Sequence, residues 1–215
     1  MNNTNNNGNF FISTEGIDNS GKTTLVPIIE DALRAEGFPV TLTSEPSDHW
    51  TGKTVRRAID SETQEHELTA FFMFMADRNK HIKETITPAL ESGEVVLSDR
   101  FADSTRVYQR HALDGHVSDP EAFIEDVMRD WSIEPDLTLY LDITPEESMA
   151  RGGGGDVYEN EEFLKDVRSA YKDLAEENPD RIVEIDAMQP VSEVAKECVS
   201  HIVSRILKRE LLGGL

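Results

Sequence analysis

Gly16-Ile17-Asp18-Asn19-Ser20-Gly21-Lys22-Thr23 fits the spacing G-x-x-x-x-G-K-[ST]. Glycines at both ends let several backbone N–H groups turn inward and form a concave anion site. Lys22 opens a helical pattern (Leu25, Ile28, Ile29, Leu33), whose dipole adds its positive end to that site. The Lys22 ammonium supplies a point charge for outer phosphates, and the Thr23 hydroxyl can ligate magnesium. With Thr24 next in line, residues 16 to 24 form a candidate polyphosphate cup. The alternative is a Gly/Ser-rich turn matching by chance. The short apolar strand pattern before it (Phe10 to Thr14) and the helix after it argue against chance. A cup of this kind establishes nucleotide binding and leaves its purpose open.

Three further groups could join that chemistry. Glu45-Pro46 follows a strand-like Val40 to Thr43. Asp99-Arg100 ends the buried run Val95-Val96-Leu97-Ser98, where open parallel sheets bind ligands. Asp99 is placed to hold magnesium, directly or through water. Arg100 can clamp an acceptor phosphate in two-pronged fashion. A surface ion pair is the other reading of Asp99-Arg100, and four buried residues before it count against that. Finally, Arg151 precedes four consecutive glycines, which hold regular structure only at a cost. They suit a closing lid at about 151–160, or a plain flexible linker.

The elements that must position these groups alternate strand, helix, strand, helix. Further strands are expected at Leu137 to Asp142 and Ile182 to Ile185. Helices are expected at Thr51 to Ile59, Leu68 to Leu90, Ser104 onward, Ser118 to about Trp131, Glu161 to Glu177, and Val191 to about Leu211. Thr87-Pro88 should kink or end the long one. Phe71 and Phe72 read as core; Phe74 and Arg78 share one side of that helix. The pattern predicts an α/β fold of three layers, with about five parallel strands and helices on both faces. It places one domain at 9–215 behind a disordered leader at 1–8.

The formal net charge is −21, with 42 acidic and 21 basic residues. Such a field disfavours a nucleic-acid partner, so anionic substrates need a local basic pocket. The acidity serves solubility or, as a sharper reading, high salt. Cys198 is the one cysteine, so no internal disulfide forms. It falls on the apolar face of a late helix and reads as packing. The six histidines show no ligand spacing that suggests zinc. No run is long enough to span a membrane, and the Asn-rich start lacks the charge and apolar core of a secretory signal. The expected compartment is the cytoplasm.

From Phe10 to the last helix the chain resembles the thymidylate kinases, P-loop enzymes that move the γ-phosphate of ATP to dTMP. The resemblance rests on Phe11-Ile-Ser-Thr-Glu-Gly-Ile-Asp-Asn-Ser-Gly-Lys-Thr-Thr24, on Glu45-Pro46 with Gly52 and Arg56, and on Phe74-Met-Ala-Asp-Arg78. Asp99-Arg100-Phe-Ala-Asp-Ser104-Thr-Arg-Val-Tyr108-Gln109 and Leu141-Asp-Ile-Thr-Pro-Glu146 complete it. It implies a P-loop kinase fold, Mg2+ as cofactor, ATP and dTMP as ligands, and a homodimer, with Leu68 to Leu90 a candidate interface. Residue by residue it implies that Phe74 stacks on thymine and Arg78 donates to a base oxygen. Ser104, Thr105 and Gln109 would line the base pocket, with Tyr108 near sugar or base. Arg100 with Arg56 would hold the dTMP phosphate, in a site that also includes Glu45. Asp18 would face the sugar 3′-hydroxyl or the acceptor phosphate, and Arg151 would pack on adenine. Lys22, Asp18, Arg100 and Arg151 are the catalytic candidates, and Thr23 and Asp99 the metal candidates.

The chain departs from the family pattern at Ser44, Phe101, Asn19 and Val157. At Asn19 or Val157 a catalytic arginine is expected, which leaves Arg151 or Arg106 to replace it, or a slow enzyme. Two other readings stand beside the kinase of dTMP. One is a P-loop kinase of another nucleoside or nucleoside monophosphate. The other is a nucleotide-binding regulator with weak turnover. A switch GTPase is disfavoured because no Asn-Lys-x-Asp guanine-reading motif occurs.

Overall fold

The computed structural model describes residues 9–59, 66–152 and 161–213. The expected leader at 1–8 and most of the expected lid, Val157 included, lie outside them. Five strands form one sheet in the order β2-β3-β1-β4-β5. They are β1 (Phe10–Glu15), β2 (Val40–Ser44), β3 (Val95–Asp99), β4 (Leu137–Asp142) and β5 (Ile182–Asp186), every pair parallel. Strands covered on both faces need apolar residues on both, and β1 and β4 are buried at every position.

Alternation along the strands divides the core. Phe10 and Ile12 join Leu25, Ile29 and Leu33 of α1 (Lys22–Ala35), Leu164 and Val167 of α9 (Glu161–Glu177), and Ile202 of α10 (Val191–Gly213). Phe11 and Val96 point the other way. They pack on Phe71 and Met75 of α3 (Glu67–His81) and on Ile124 and Met128 of α7 (Pro120–Met128). Three layers result. Cys198 is fully buried within the first cluster, and burial pushes its thiol up to about 12, so it packs and does not react.

The long helix does not break at proline. Past α3 the chain makes one π-turn, Ile82–Ile86, then α4 (Thr87–Glu91). Pro88 lacks an N–H and crowds the preceding turn, and the wider i→i−5 turn, with Thr87 N–H on the Ile82 carbonyl, absorbs that misfit. A second π-turn, Thr105–Gln109, lies between α5 (Ala102–Ser104) and α6 (Arg110–Ala112). Phe71 is core as expected, but Phe72 is 49% exposed. One residue along a helix turns the side chain by about 100°, and only one of two consecutive residues can face the sheet.

Two glycines are demanded by space. A Cβ on Gly16, whose φ is +144°, would lie 2.6 Å from the Leu141 carbonyl oxygen. Gly52 belongs to α2 (Trp50–Ile59), and a Cβ there would sit 2.0 Å from the Ser47 carbonyl oxygen. Ser47 cannot move aside, because Asp77 Oδ2 accepts its N–H at 2.7 Å and Asp77 Oδ1 its hydroxyl at 2.6 Å. Gly52→Ala should therefore cost at least about 3 kcal/mol, since backbone must shift to admit the methyl. Urea unfolding followed by circular dichroism measures it.

Candidate active site

The register of the central strands gathers the candidate groups. Thr14 of β1 and Ser44 of β2 both pair with Asp99 of β3. The residues that follow those three positions, Glu15-Gly16, Glu45-Pro46 and Arg100, therefore leave one edge of the sheet side by side. That is the carboxyl edge, where the chain reverses direction about β1 and ligands bind in this architecture. A cavity of about 1210 Å3 opens there. It is larger than the pocket one small ligand needs, and has room for two.

One end of the cavity is the cup. Asp18, Asn19, Ser20, Gly21, Lys22, Thr23 and Thr24 line it. Gly16 and Ile17 form the floor beneath, through carbonyl oxygens that each accept from Lys22 Nζ at 2.9 Å. Asn19 and Gly21 take positive φ, 57° and 96°, which curls the loop around a concave face. The N-cap of α1 is Gly21, which has no side chain to cap the first turn, so that end of the helix faces the cup. Burial, with Arg100 nearby, pulls the Lys22 ammonium down to about 7. An arriving polyphosphate would favour the charged form of Lys22.

Thr23 and Asp99 meet at the cup's edge, where Thr23 Oγ1 lies 3.5 Å from Asp99 Oδ2. Asp99 Oδ1 is buried without a hydrogen-bond partner among the described residues. An orphaned carboxylate oxygen beside a hydroxyl is the hard-oxygen donor set that suits Mg2+, and these two residues would hold it.

Arg100 stands between the two ends. Its φ of 69° is left-handed, and its N–H bonds the Thr14 carbonyl at 3.0 Å. The guanidinium pairs with Asp18, donates to Ser104 Oγ at 3.3 Å, and lies 5.3 Å from the centre of the Tyr108 ring. Burial pushes the Tyr108 hydroxyl up to about 12, so it stays protonated, and its oxygen has no hydrogen-bond partner among the described residues.

The far end holds Glu45, Phe74, Arg78, Ser104, Thr105, Tyr108 and Gln109. Arg78 is 2% exposed. It donates to Glu45 Oε2 from Nε at 2.9 Å and Nη2 at 2.6 Å, and also to the Phe101 carbonyl at 3.1 Å and Thr105 Oγ1 at 2.8 Å. His81 Nδ1 holds the other Glu45 oxygen at 3.1 Å. The Arg78 face toward the cavity is thus fixed by a buried ion pair. Gln109 Oε1 is buried with no partner among the described residues, and so is free to meet a polar guest.

Arg56, which the resemblance gives to the acceptor phosphate, and Arg106, a candidate replacement for the missing arginine, both sit away from those roles. Arg56 does not line the cavity. It donates to the Pro46 carbonyl, to the Ser47 carbonyl at 2.7 Å and to Asp48 at 3.0 Å, and so braces the loop that carries Glu45. Arg106 is bound to Asp103, Glu125 and Glu134, away from the cavity, and cannot serve the transferred group. Arg151 does reach the site from the end of α8 (Pro145–Gly152). Its Nη1 lies 3.9 Å from where a Gly21 Cβ would be, steered by Glu147 at 2.8 Å and the Ala187 carbonyl at 3.1 Å.

Sequence reasoning passed over Glu15. Fully buried, it accepts the Phe101 N–H at 2.7 Å on Oε1, and on Oε2 the hydroxyls of Ser104 at 2.6 Å and Tyr171 at 3.0 Å. It therefore fixes the turn that presents Arg100. A charged residue closing an apolar strand was the available signal. Burial raises its carboxyl to about 7, with Asp103 adding to the rise. A carboxyl raised above its unfolded value of 4.5 stabilises the fold fully below 4.5, and that contribution is lost as pH climbs through 7. Glu15→Gln should gain on the wild type between pH 5 and 8 by on the order of 3 kcal/mol, read from unfolding curves across that range.

The fold and the cup define a P-loop phosphotransferase site with a second pocket for an acceptor. The family model described as thymidylate kinase matches residues 14–198. A protein of Natronomonas pharaonis named probable thymidylate kinase is 38% identical over 197 residues, covering 90% of this chain and 99% of its own. Same-named proteins of Methanosarcina barkeri (38% over 196 residues, 89% and 95%) and Halobacterium salinarum (38% over 179 residues, 83% and 87%) are similarly close. The chain belongs to the thymidylate kinase family.

Proposed function

We propose that the chain transfers the γ-phosphoryl group of ATP to dTMP, giving ADP and dTDP. The observation that carries this is the single cavity with the phosphate cup at one end and Phe74, Arg78 and Gln109 at the other. A flat pyrimidine offers a π face to Phe74 and polar edge atoms to Arg78 and Gln109, and a pocket built for those atoms rejects bases that lack them.

Lys22 and the turned-in N–H groups hold the β- and γ-phosphates. Thr23 and Asp99 would hold Mg2+, and the ion would supply charge neutralisation at the phosphates. Arg100, aimed by Glu15 and Asp18, clamps the acceptor phosphate. An oxygen of that phosphate attacks the γ-phosphorus as the bond to the ADP oxygen breaks. The acceptor oxygen is already anionic, so no general base is required. Arg151, beside Gly21 at the rim of the cup, packs on the adenine of ATP. Asp18, paired with Arg100, would also face the sugar 3′-hydroxyl or the acceptor phosphate.

No described helix is long and apolar enough to cross a membrane. We place the enzyme in the cytoplasm, where its nucleotide substrates are, and read it as a homodimer. Exposed Trp50, Ile59 and Phe72 on α2 and α3 support the second reading.

Thermal shifts with a panel of monophosphates test the acceptor. dTMP should stabilise the protein more than AMP, GMP or CMP, and Gln109→Ala should weaken dTMP at least tenfold while leaving ATP binding within about twofold. Equal shifts across the panel would favour a kinase of another acceptor.

A further inference from the structure

The geometry points to a binding site for one divalent transition-metal ion, of the zinc type, formed by His66, Glu67 and His116 at the rim of the acceptor end. Each of the three offers one ligand atom, and these atoms lie within 4.8 Å of one another. His116 Nε2 stands 3.5 Å from Glu67 Oε2. Two ligands of one tetrahedral ion with bonds of about 2.1 Å are about 3.4 Å apart, so this pair already has the spacing of a shared ion. The imidazoles of His66 and His116 meet edge to face, with centroids 4.9 Å apart. Both histidines are exposed, so small side-chain rotations close the third ligand in without disturbing the core.

Two imidazoles and a carboxylate suit zinc, cobalt or nickel better than Mg2+, which prefers oxygen and holds its waters. The overall charge of −21 draws cations to the surface. One local feature opposes binding. His66 is the N-cap of α3, and its Nδ1 accepts the Leu68 N–H at 3.3 Å. The ion competes for that imidazole at the positive end of a helix, which sets the affinity below that of a buried structural zinc site.

The chain spacing hides this site. Glu67 opens α3, whereas His116 lies past α6, in a turn whose N–H bonds the Leu113 carbonyl at 3.0 Å. Glu67 also lines the cavity, as do Ala70 and Phe74 further along α3 and His111 and Ala112 of α6. An ion here ties the two walls of the acceptor end together, at a place distinct from the Thr23–Asp99 pair.

The test uses untagged, nucleotide-free full chain. Titration with Co2+ should give one equivalent with visible d–d absorption, displaced by Zn2+ and not by millimolar Mg2+. Zn2+ should also raise the thermal midpoint. His116→Ala and Glu67→Gln, both at surface positions, should weaken Co2+ at least tenfold and abolish the Zn2+ shift. Asp99→Asn should retain both. The readout does not depend on turnover, so it stands or falls apart from the dTMP assignment. No stoichiometric Co2+ spectrum, or one unchanged in His116→Ala, would overturn the site, and loss in Asp99→Asn would move the ion to the nucleotide cup.

Discussion

Lys22→Met should lower kcat/KM for phosphoryl transfer by about a thousandfold or more while leaving the fold standing. The ammonium is held at the centre of the cup by the Gly16 and Ile17 carbonyls at 2.9 Å and by Ser20 Oγ at 3.1 Å. From there it meets the phosphates as charge shifts between them. A single well-placed donor of this kind contributes about 3–4 kcal/mol to a transition state, and charge-stabilising side chains in phosphoryl transfer contribute as much or more. Stability follows a different course. Burial already pulls Lys22 down to about 7, a sign that the fold bears a cost for its charge. Methionine keeps the stem and removes that cost, so the unfolding midpoint should stay level or rise. A coupled ADP-release assay and a urea titration on the same variant separate the two effects.

Glu45→Ala should do the opposite, damaging fold and acceptor site together. Among the described residues the carboxylate is the only acidic partner of Arg78, which is 2% exposed, and it also holds His81, which is fully buried. Its loss leaves a buried guanidinium with carbonyl, hydroxyl and thioether acceptors and the Phe101 ring 5.0 Å away. Breaking a buried pair on one side costs about 3–5 kcal/mol, about 10 °C in midpoint for a chain of this length. Replacing both partners, as Glu45→Leu with Arg78→Met, should recover most of that stability, because neither charge is then stranded. The double variant should still fail to bind dTMP. Calorimetry of the two single variants and the double, each with and without dTMP, measures the cycle.

The contrast between these variants marks what sequence could and could not disclose. Local signals sufficed for the cup, because its glycines, its lysine and the helix after it are contiguous. They sufficed for the strands too, where apolar runs such as Leu137 to Asp142 end at the residues observed. Long-range pairing was out of reach. Nothing in the spacing couples Glu45 to Arg78, or Glu15 to Ser104 and Tyr171, since the sheet register creates those meetings. The resemblance gives Arg56 to the acceptor phosphate, and Arg106 stands as a substitute for the missing catalytic arginine, yet each is engaged by a loop or by carboxylates. Phe72 was misread because a broad apolar pattern does not fix which of two neighbouring phenylalanines faces inward. The π-turns escaped notice because apolar periodicity barely changes when one turn widens by a residue.

The central claim is that one cavity joins a triphosphate cup to a pyrimidine pocket, and transfer of label from γ-labelled ATP tests it most directly. With Mg2+ present, label should move to dTMP and yield dTDP, at a rate at least a hundredfold above that with AMP, GMP or CMP, and Lys22→Met should slow it by about a thousandfold or more. Label that passes only to water, or equally to every monophosphate, would contradict the account.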